Sequence, residues 1–189
     1  MLDSAARAFA LHGFAGASLE EIAESAGYSR GALYANFDGK DELLLTLVER
    51  SMQSQAAEAM ELTSQPLSPA DAFVRLRKSF ATFGNSDREA CLVIAEAQLY
   101  AIRNSRFRER LAALFRAQHQ QIVALVTRFF EQLPQRARIS PRQAAFIAVA
   151  SLQGLTLRNL ADPETFSDQM VEDALGWIFG ALTRDTEGE

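Results

Sequence analysis

The residue types that carry most enzymatic chemistry are scarce in this chain and lie far apart. Its two histidines are His12 and His119, its one cysteine is Cys91, and no glycine-rich phosphate loop occurs. A metal site needs several His, Cys or carboxylate ligands, and nucleophilic catalysis needs a base within reach of its nucleophile. Neither arrangement can be read, so no catalytic residue, metal ligand or cofactor is expected, and the chain does not read as an enzyme. The polar side chains that do cluster lie between residues 18 and 40: Ser18, Ser29, Arg30, Tyr34, Asn36 and Lys40, spaced among Ala23, Gly27 and Gly31.

Two short helices must position that cluster. Ser18 is placed to cap the first, with Glu21 three residues on as in a capping box and Glu20 adding first-turn charge. This helix is expected to run to about Ala26 and end at Gly27. Ser29 is a second N-cap, followed by the i, i+4 pair Leu33 and Phe37, and the helix is expected to end near Asn36. A small residue, Ala23, followed four positions later by a turn glycine lets two helices cross closely, which is what a helix-turn-helix requires. Its second helix is then able to enter the major groove. On spacing alone, a plain helical hairpin fits the same residues.

The wider string is more specific. Gly13-Phe14, Ser18-Leu19-Glu20-Glu21-Ile22-Ala23, Ala26 to Tyr34, Phe37 and Lys40-Asp41-Glu42-Leu43 together resemble the DNA-binding domain of the tetracycline-repressor (TetR) family over about the first 48 residues. The resemblance implies that Ser18 and Ser29 contact phosphates while capping their helices, and that Arg30 reaches a phosphate or a guanine edge. It also implies that Gly31 lets the recognition helix approach DNA and that Tyr34 and Lys40 bond phosphates. Asn36 stands where the family commonly has histidine. Set against these roles, the serines can be caps only, Tyr34 a packing residue, and Arg30 and Lys40 solvated charges; Phe14 and Phe37 read as core.

Charge qualifies the expectation. Residues 1–48 hold Arg7, Arg30 and Lys40 against Asp3, Glu20, Glu21, Glu24, Asp38, Asp41 and Glu42, or 3 − 7 = −4, within a chain of net charge −5. Such a protein does not coat nucleic acid by bulk electrostatics, so contact with double-stranded DNA must be local and geometrically specific. The sequence starts where the resemblance places the middle of helix one, without the family's basic arm, so weak phosphate attraction is expected, from a truncated start or from feeble natural binding. The alternative is a TetR-like ligand- or partner-binding module without sequence-specific DNA binding.

The rest of the chain is expected to be helical too, giving an all-α fold of about nine helices. Apolar residues recur at three- and four-residue intervals almost throughout. The opening helix, Leu2–Leu11, stops at His12-Gly13; a long one runs from Lys40 to about Leu62; Ser68-Pro69 opens one that ends at Gly84. Ala90–Ile102 is apolar nearly all round and is expected to be buried on all sides. Further helices are expected at Phe107–Leu133, from Ser140-Pro141 to about Leu160, and after Ser167. The division is residues 1–48 as the helix-turn-helix domain and 49–189 as a helical effector-binding and dimerisation domain.

For that second domain the resemblance implies an effector pocket within helices four to seven and a homodimer through the last two helices. The broad apolar faces at Ala144–Leu157 and Met170–Leu182 agree, since exposing them is costly and a homodimer is the usual remedy. Glu96, Gln98 and His119 are the polar groups expected to be buried, where a small-molecule effector or a neighbouring side chain partners them. Phe80 and Phe115, with Phe83 and Phe129, line either a cavity or simply the core. One cysteine gives no internal disulfide, so the cytoplasm is the default compartment. The longest apolar stretch, near Ala144–Leu157, is interrupted by Ser151 and Gln153 and reads as too short to span a bilayer, so no membrane association is expected.

Overall fold

The computed structural model describes residues 1–63, 88–131 and 139–183, and among them every regular element is an α-helix. Eight are seen: α1 Leu2–Gly16, α2 Leu19–Ser25, α3 Arg30–Asn36, α4 Lys40–Thr63, α5 Arg88–Arg103, α6 Ser105–Glu131, α7 Pro141–Ala161 and α8 Asp168–Thr183. The helix expected from Pro69 to Gly84, with Phe80 and Phe83, lies outside the described residues, as does the stop at Pro134.

Side-chain caps set several helix starts. Ser18 and Ser29 accept the N–H groups of Glu21 and Ala32, and Ser140 forms a full capping box with Gln143 ahead of Pro141. Ser167 accepts the Met170 N–H, and Asn104 Oδ1 accepts the Phe107 N–H at 2.9 Å, an asparagine cap on α6. Each satisfies a backbone donor that the helix itself leaves unpaired. At Ser18 the expected capping box takes another form: the hydroxyl donates to Glu20 rather than answering Glu21 alone.

Two compact units are present, one from Met1–Ser54 and Asp87–Arg116, the other from Gln55–Ser86 and Ala117–Glu189. The first unit joins the N-terminal segment to residues 87–116. Val93, Ala97, Ala101, Phe107 and Leu111 share one buried core with Ala5, Phe9, Phe14, Ile22, Leu33, Leu43, Leu44 and Val48. The reason is local: α1 packs along α5, and both offer small buried residues, Ala5 and Ala6 on one and Ala97 and Ala101 on the other, which let helices approach closely. The expectation that 90–102 is buried on all sides is corrected. Val93, Ile94, Ala97 and Ala101 are buried, but Leu99 and Ile102 are 46% and 72% exposed.

In the second unit α7 packs on α8 through Ala148, Val171 and Leu175, flanked by Leu152 and Leu155. Buried Asn159 fastens the turn between them, donating to the Phe166 carbonyl at 2.7 Å and Asp168 at 2.9 Å. Other apolar side chains of the two helices are exposed in the single chain: Phe146 at 67%, Met170 at 52% and Trp177 at 79%. Helix α7 as a whole, 21 residues, is long and apolar enough by length and composition alone to cross a membrane, which is weak evidence of a span because helices of soluble proteins reach the same length and composition.

Candidate nucleic-acid interface

The site starts from the turn between α2 and α3. Gly27 has φ +73°, its N–H donates to the Glu24 carbonyl at 3.0 Å, and the Tyr28 N–H donates to the Ala23 carbonyl at 2.9 Å. This pair of bonds around a left-handed residue closes a helix C-terminus, and glycine takes that conformation without a Cβ clash. Ile22, Ala23 and Leu33 are buried beneath the two helices. Consequently Ser29, Arg30, Gly31, Tyr34 and Asn36 all lie exposed on α3 or its cap. Tyr28, next to Ser29 in the chain, is also exposed, at 52%.

Arg30 is engaged before any ligand arrives. Its Nε meets Glu20 Oε1 at 3.1 Å, and its guanidinium carbon lies 5.5 Å from the centre of the Tyr34 ring. Glu20's own backbone N–H, the Ser18 hydroxyl and then Arg30 hold its carboxyl below the ordinary value. Asn36 turns its amide back to donate to the Ala32 carbonyl at 2.7 Å.

Lys40 stands differently from its expected role at a phosphate. Its ammonium donates to the carbonyls of Ala15, at 3.2 Å, and Ala17, at 2.9 Å, and lies 4.8 Å from the centre of the Phe14 ring. Two of the three ammonium donors are therefore spent fastening the chain after α1, which makes Lys40 a structural clasp first. The clasp is needed because Gly13, with φ +69°, breaks α1 and leaves a short turn beyond it. Glu96 supports the same turn from α5: its carboxylate accepts the Phe14 N–H at 2.8 Å. Nearby, Tyr100 packs on Phe14 and Phe107, accepts from Asn104 and donates to Asp41; burial, then Asp41, pushes its phenol pKa up.

The residues put forward for an effector divide between the units. Glu96, Gln98 and Phe115 belong to the first, His119 to the second, and Phe80 lies outside the described residues. Glu96 has the protein partner just given, the alternative to a ligand, and Phe115 packs against the first core. Gln98 and His119 are half-buried.

Two serine-capped helices joined through a left-handed glycine, with the second exposing cations and hydrogen-bonding groups, define a helix-turn-helix protein. Residues 1–47 match the model of the bacterial regulatory proteins of the tetR family, and residues 69–179 match the C-terminal domain of BetI-type transcriptional repressors. The chain belongs to the TetR family, whose members are transcriptional regulators and not enzymes.

Among its relatives, the HTH-type transcriptional repressor AcnR of Corynebacterium glutamicum is 37% identical over 65 residues, 34% of this chain and 32% of that protein. The HTH-type transcriptional regulator AcrR of Shigella flexneri is 40% identical over 78 residues, 41% of this chain and 35% of that protein. The chain thus aligns with about a third of the length of the curated relatives it matches. In fold, a TetR-family regulator of Rhodococcus sp. superposes with a TM-score of 0.79 at 21% identity, covering 97% of this chain and 96% of that one. SmeT, the repressor of the Stenotrophomonas maltophilia efflux pump SmeDEF, superposes at 0.69 with 25% identity, covering 98% and 89%.

Proposed function

We propose that this protein is a ligand-responsive repressor that binds a palindromic operator as a homodimer and releases it on binding a small-molecule effector. The observation that carries the reading is the exposed face of α3, where Ser29, Arg30, Gly31 and Tyr34 surround a helix start. Base edges are read by such side chains in the major groove, while serine hydroxyls and helix N–H groups position the backbone. Tyr34 and Asn36 serve as hydrogen-bonding groups on the same face, and Ser18 flanks it from the preceding cap. Lys40 contributes chiefly by holding the chain between α1 and α2.

The homodimer pairs α7 and α8 with their copies. Phe146, Met170 and Trp177, exposed in one chain, support it, because paired faces of this kind remove large apolar surface from water. Two recognition helices about 34 Å apart then meet successive major grooves on one side of the duplex. Solved relatives of this fold include SmeT with triclosan and FadR of Bacillus subtilis with stearoyl-CoA, which supports an apolar small molecule here too. Effector binding shifts α4 and with it the spacing of the two heads, favouring a state of lower DNA affinity. Action on DNA places the protein in the cytoplasm.

The test is fluorescence anisotropy of the protein on its own upstream intergenic DNA and on a scrambled duplex across a salt series. Preference for the first that Arg30→Ala abolishes supports the repressor. Equal, feeble binding to both overturns it in favour of a ligand- or partner-binding module, the reading that the −4 charge of residues 1–48 favours.

A further inference from the structure

Arg30 does not present itself as a bare surface cation. Glu20, in the first turn of α2, divides its two oxygens: Oε2 accepts the Ser18 hydroxyl proton at 3.1 Å, and Oε1 meets Arg30 Nε at 3.1 Å. The Ser18 oxygen accepts the Glu21 N–H at 3.4 Å, so the carboxylate is fastened to the cap of its own helix. The guanidinium thus pairs on its Nε side with an anion fastened to its own helix cap, and is flanked by the Tyr34 ring. A guanidinium carries its donors in a rigid planar fork. With the anion beside Nε, the Nη1–Nη2 pair is the edge of the fork farther from it, and this pair matches O6 and N7 of guanine. The anion beside it also offsets the field that Arg30 would otherwise present to any phosphate.

We infer that Glu20 is a positioning residue for specificity: it orients Arg30 toward a guanine edge and suppresses its use as an indiscriminate phosphate contact. This rests on reading α3 as the operator-binding helix. It also gives the acidic head a purpose, because a domain with little bulk attraction for DNA gains discrimination from every cation that is aimed rather than merely present.

The experiment uses the full chain, a duplex enriched from a randomised pool by the wild-type protein, and a scrambled duplex, with anisotropy measured over a salt series. Glu20→Gln keeps the side chain's size and removes its charge. The expected result is a fall of about tenfold in the preference for the enriched duplex. Most of that fall comes from tighter binding to scrambled DNA, and the salt slope on scrambled DNA steepens by about 0.9. The penalty for replacing the guanine that Arg30 reads shrinks in parallel, which a purely structural role does not produce.

Unchanged preference and slope in Glu20→Gln, while Arg30→Ala loses its preference, overturns the role of Glu20 and leaves the operator reading intact. Undiminished preference in Arg30→Ala also overturns it. Enrichment that yields no preferred duplex overturns the operator reading and this inference with it. Should Glu20→Gln melt early, Glu20→Asp keeps the first-turn charge but retracts it from Arg30; its preference is expected to fall, and a wild-type preference there refutes the inference.

Discussion

Replacing Lys40 with methionine separates two things that one cation can do. Methionine keeps an apolar stem on Phe14 and deletes the ammonium, leaving the Ala15 and Ala17 carbonyls without their donor. The part-buried bond to Ala17 is charge-assisted and contributes about 1.5 kcal/mol; the exposed one to Ala15 adds little after screening, about 0.3 kcal/mol. The cation over the ring adds about 0.5 kcal/mol. The sum is about 2 kcal/mol, which for a chain of this size lowers the melting temperature by about 4–8 °C. The assay is a far-UV circular dichroism melt at fixed protein concentration, since a dimer's melting point depends on it. Alongside it, the salt slope on DNA is measured; a clasp leaves the slope unchanged, whereas loss of one phosphate contact flattens it by about 0.9. A melting point within about 1 °C of wild type, with a flattened slope, refutes the clasp and restores Lys40 to the phosphate.

Other substitutions probe other links. Glu96→Ala leaves the Phe14 N–H without its carboxylate and is expected to cost about 2 kcal/mol in urea unfolding, with Glu96→Gln about half as damaging because an oxygen acceptor remains. Trp177→Arg places a charge on the proposed dimer face and is expected to give monomers in sedimentation velocity; an intact dimer sends the interface elsewhere. Asp3 has its carboxyl held low by the hydrogen bond and then the charge of Arg50, so the unfolded chain takes up its proton first as pH falls. That stability is present above the ordinary carboxylate range and is lost as pH drops through the folded value. The urea midpoint of Arg50→Met is therefore expected to fall less than wild type between about pH 6 and pH 3.

Legibility in the sequence followed how local the determining physics was. The starts at Ser18, Ser29, Ser140 and Ser167 and the glycine ends at Gly13 and Gly27 involve bonds spanning a few residues, so side-chain type and spacing sufficed. The all-helical class followed from periodicity in the same way. The serine-capped surface from Ser29 to Asn36 was legible because its buried complement, Ile22, Ala23 and Leu33, is written in the same short string.

Partners far apart in sequence were another matter. Nothing near Lys40 says that its ammonium will reach back to Ala15 and Ala17, or near Glu96 that its carboxylate will hold Phe14 eighty-two positions earlier. The same holds for the membership of α5 in the first unit, where apolar character foretold burial but not which face, leaving Leu99 and Ile102 outside. Composition assigned these residues a need for partners or for cover. Only the packing of α1 along α5, which brings a helix break, an acid and a lysine into one place, decided who the partners were. Sequence alone thus determined the helices and the surface that faces solvent on α3, because those depend on neighbours along the chain; tertiary structure decided which charges are aimed outward and which are spent within, because charges separated by dozens of residues meet only after the core has closed.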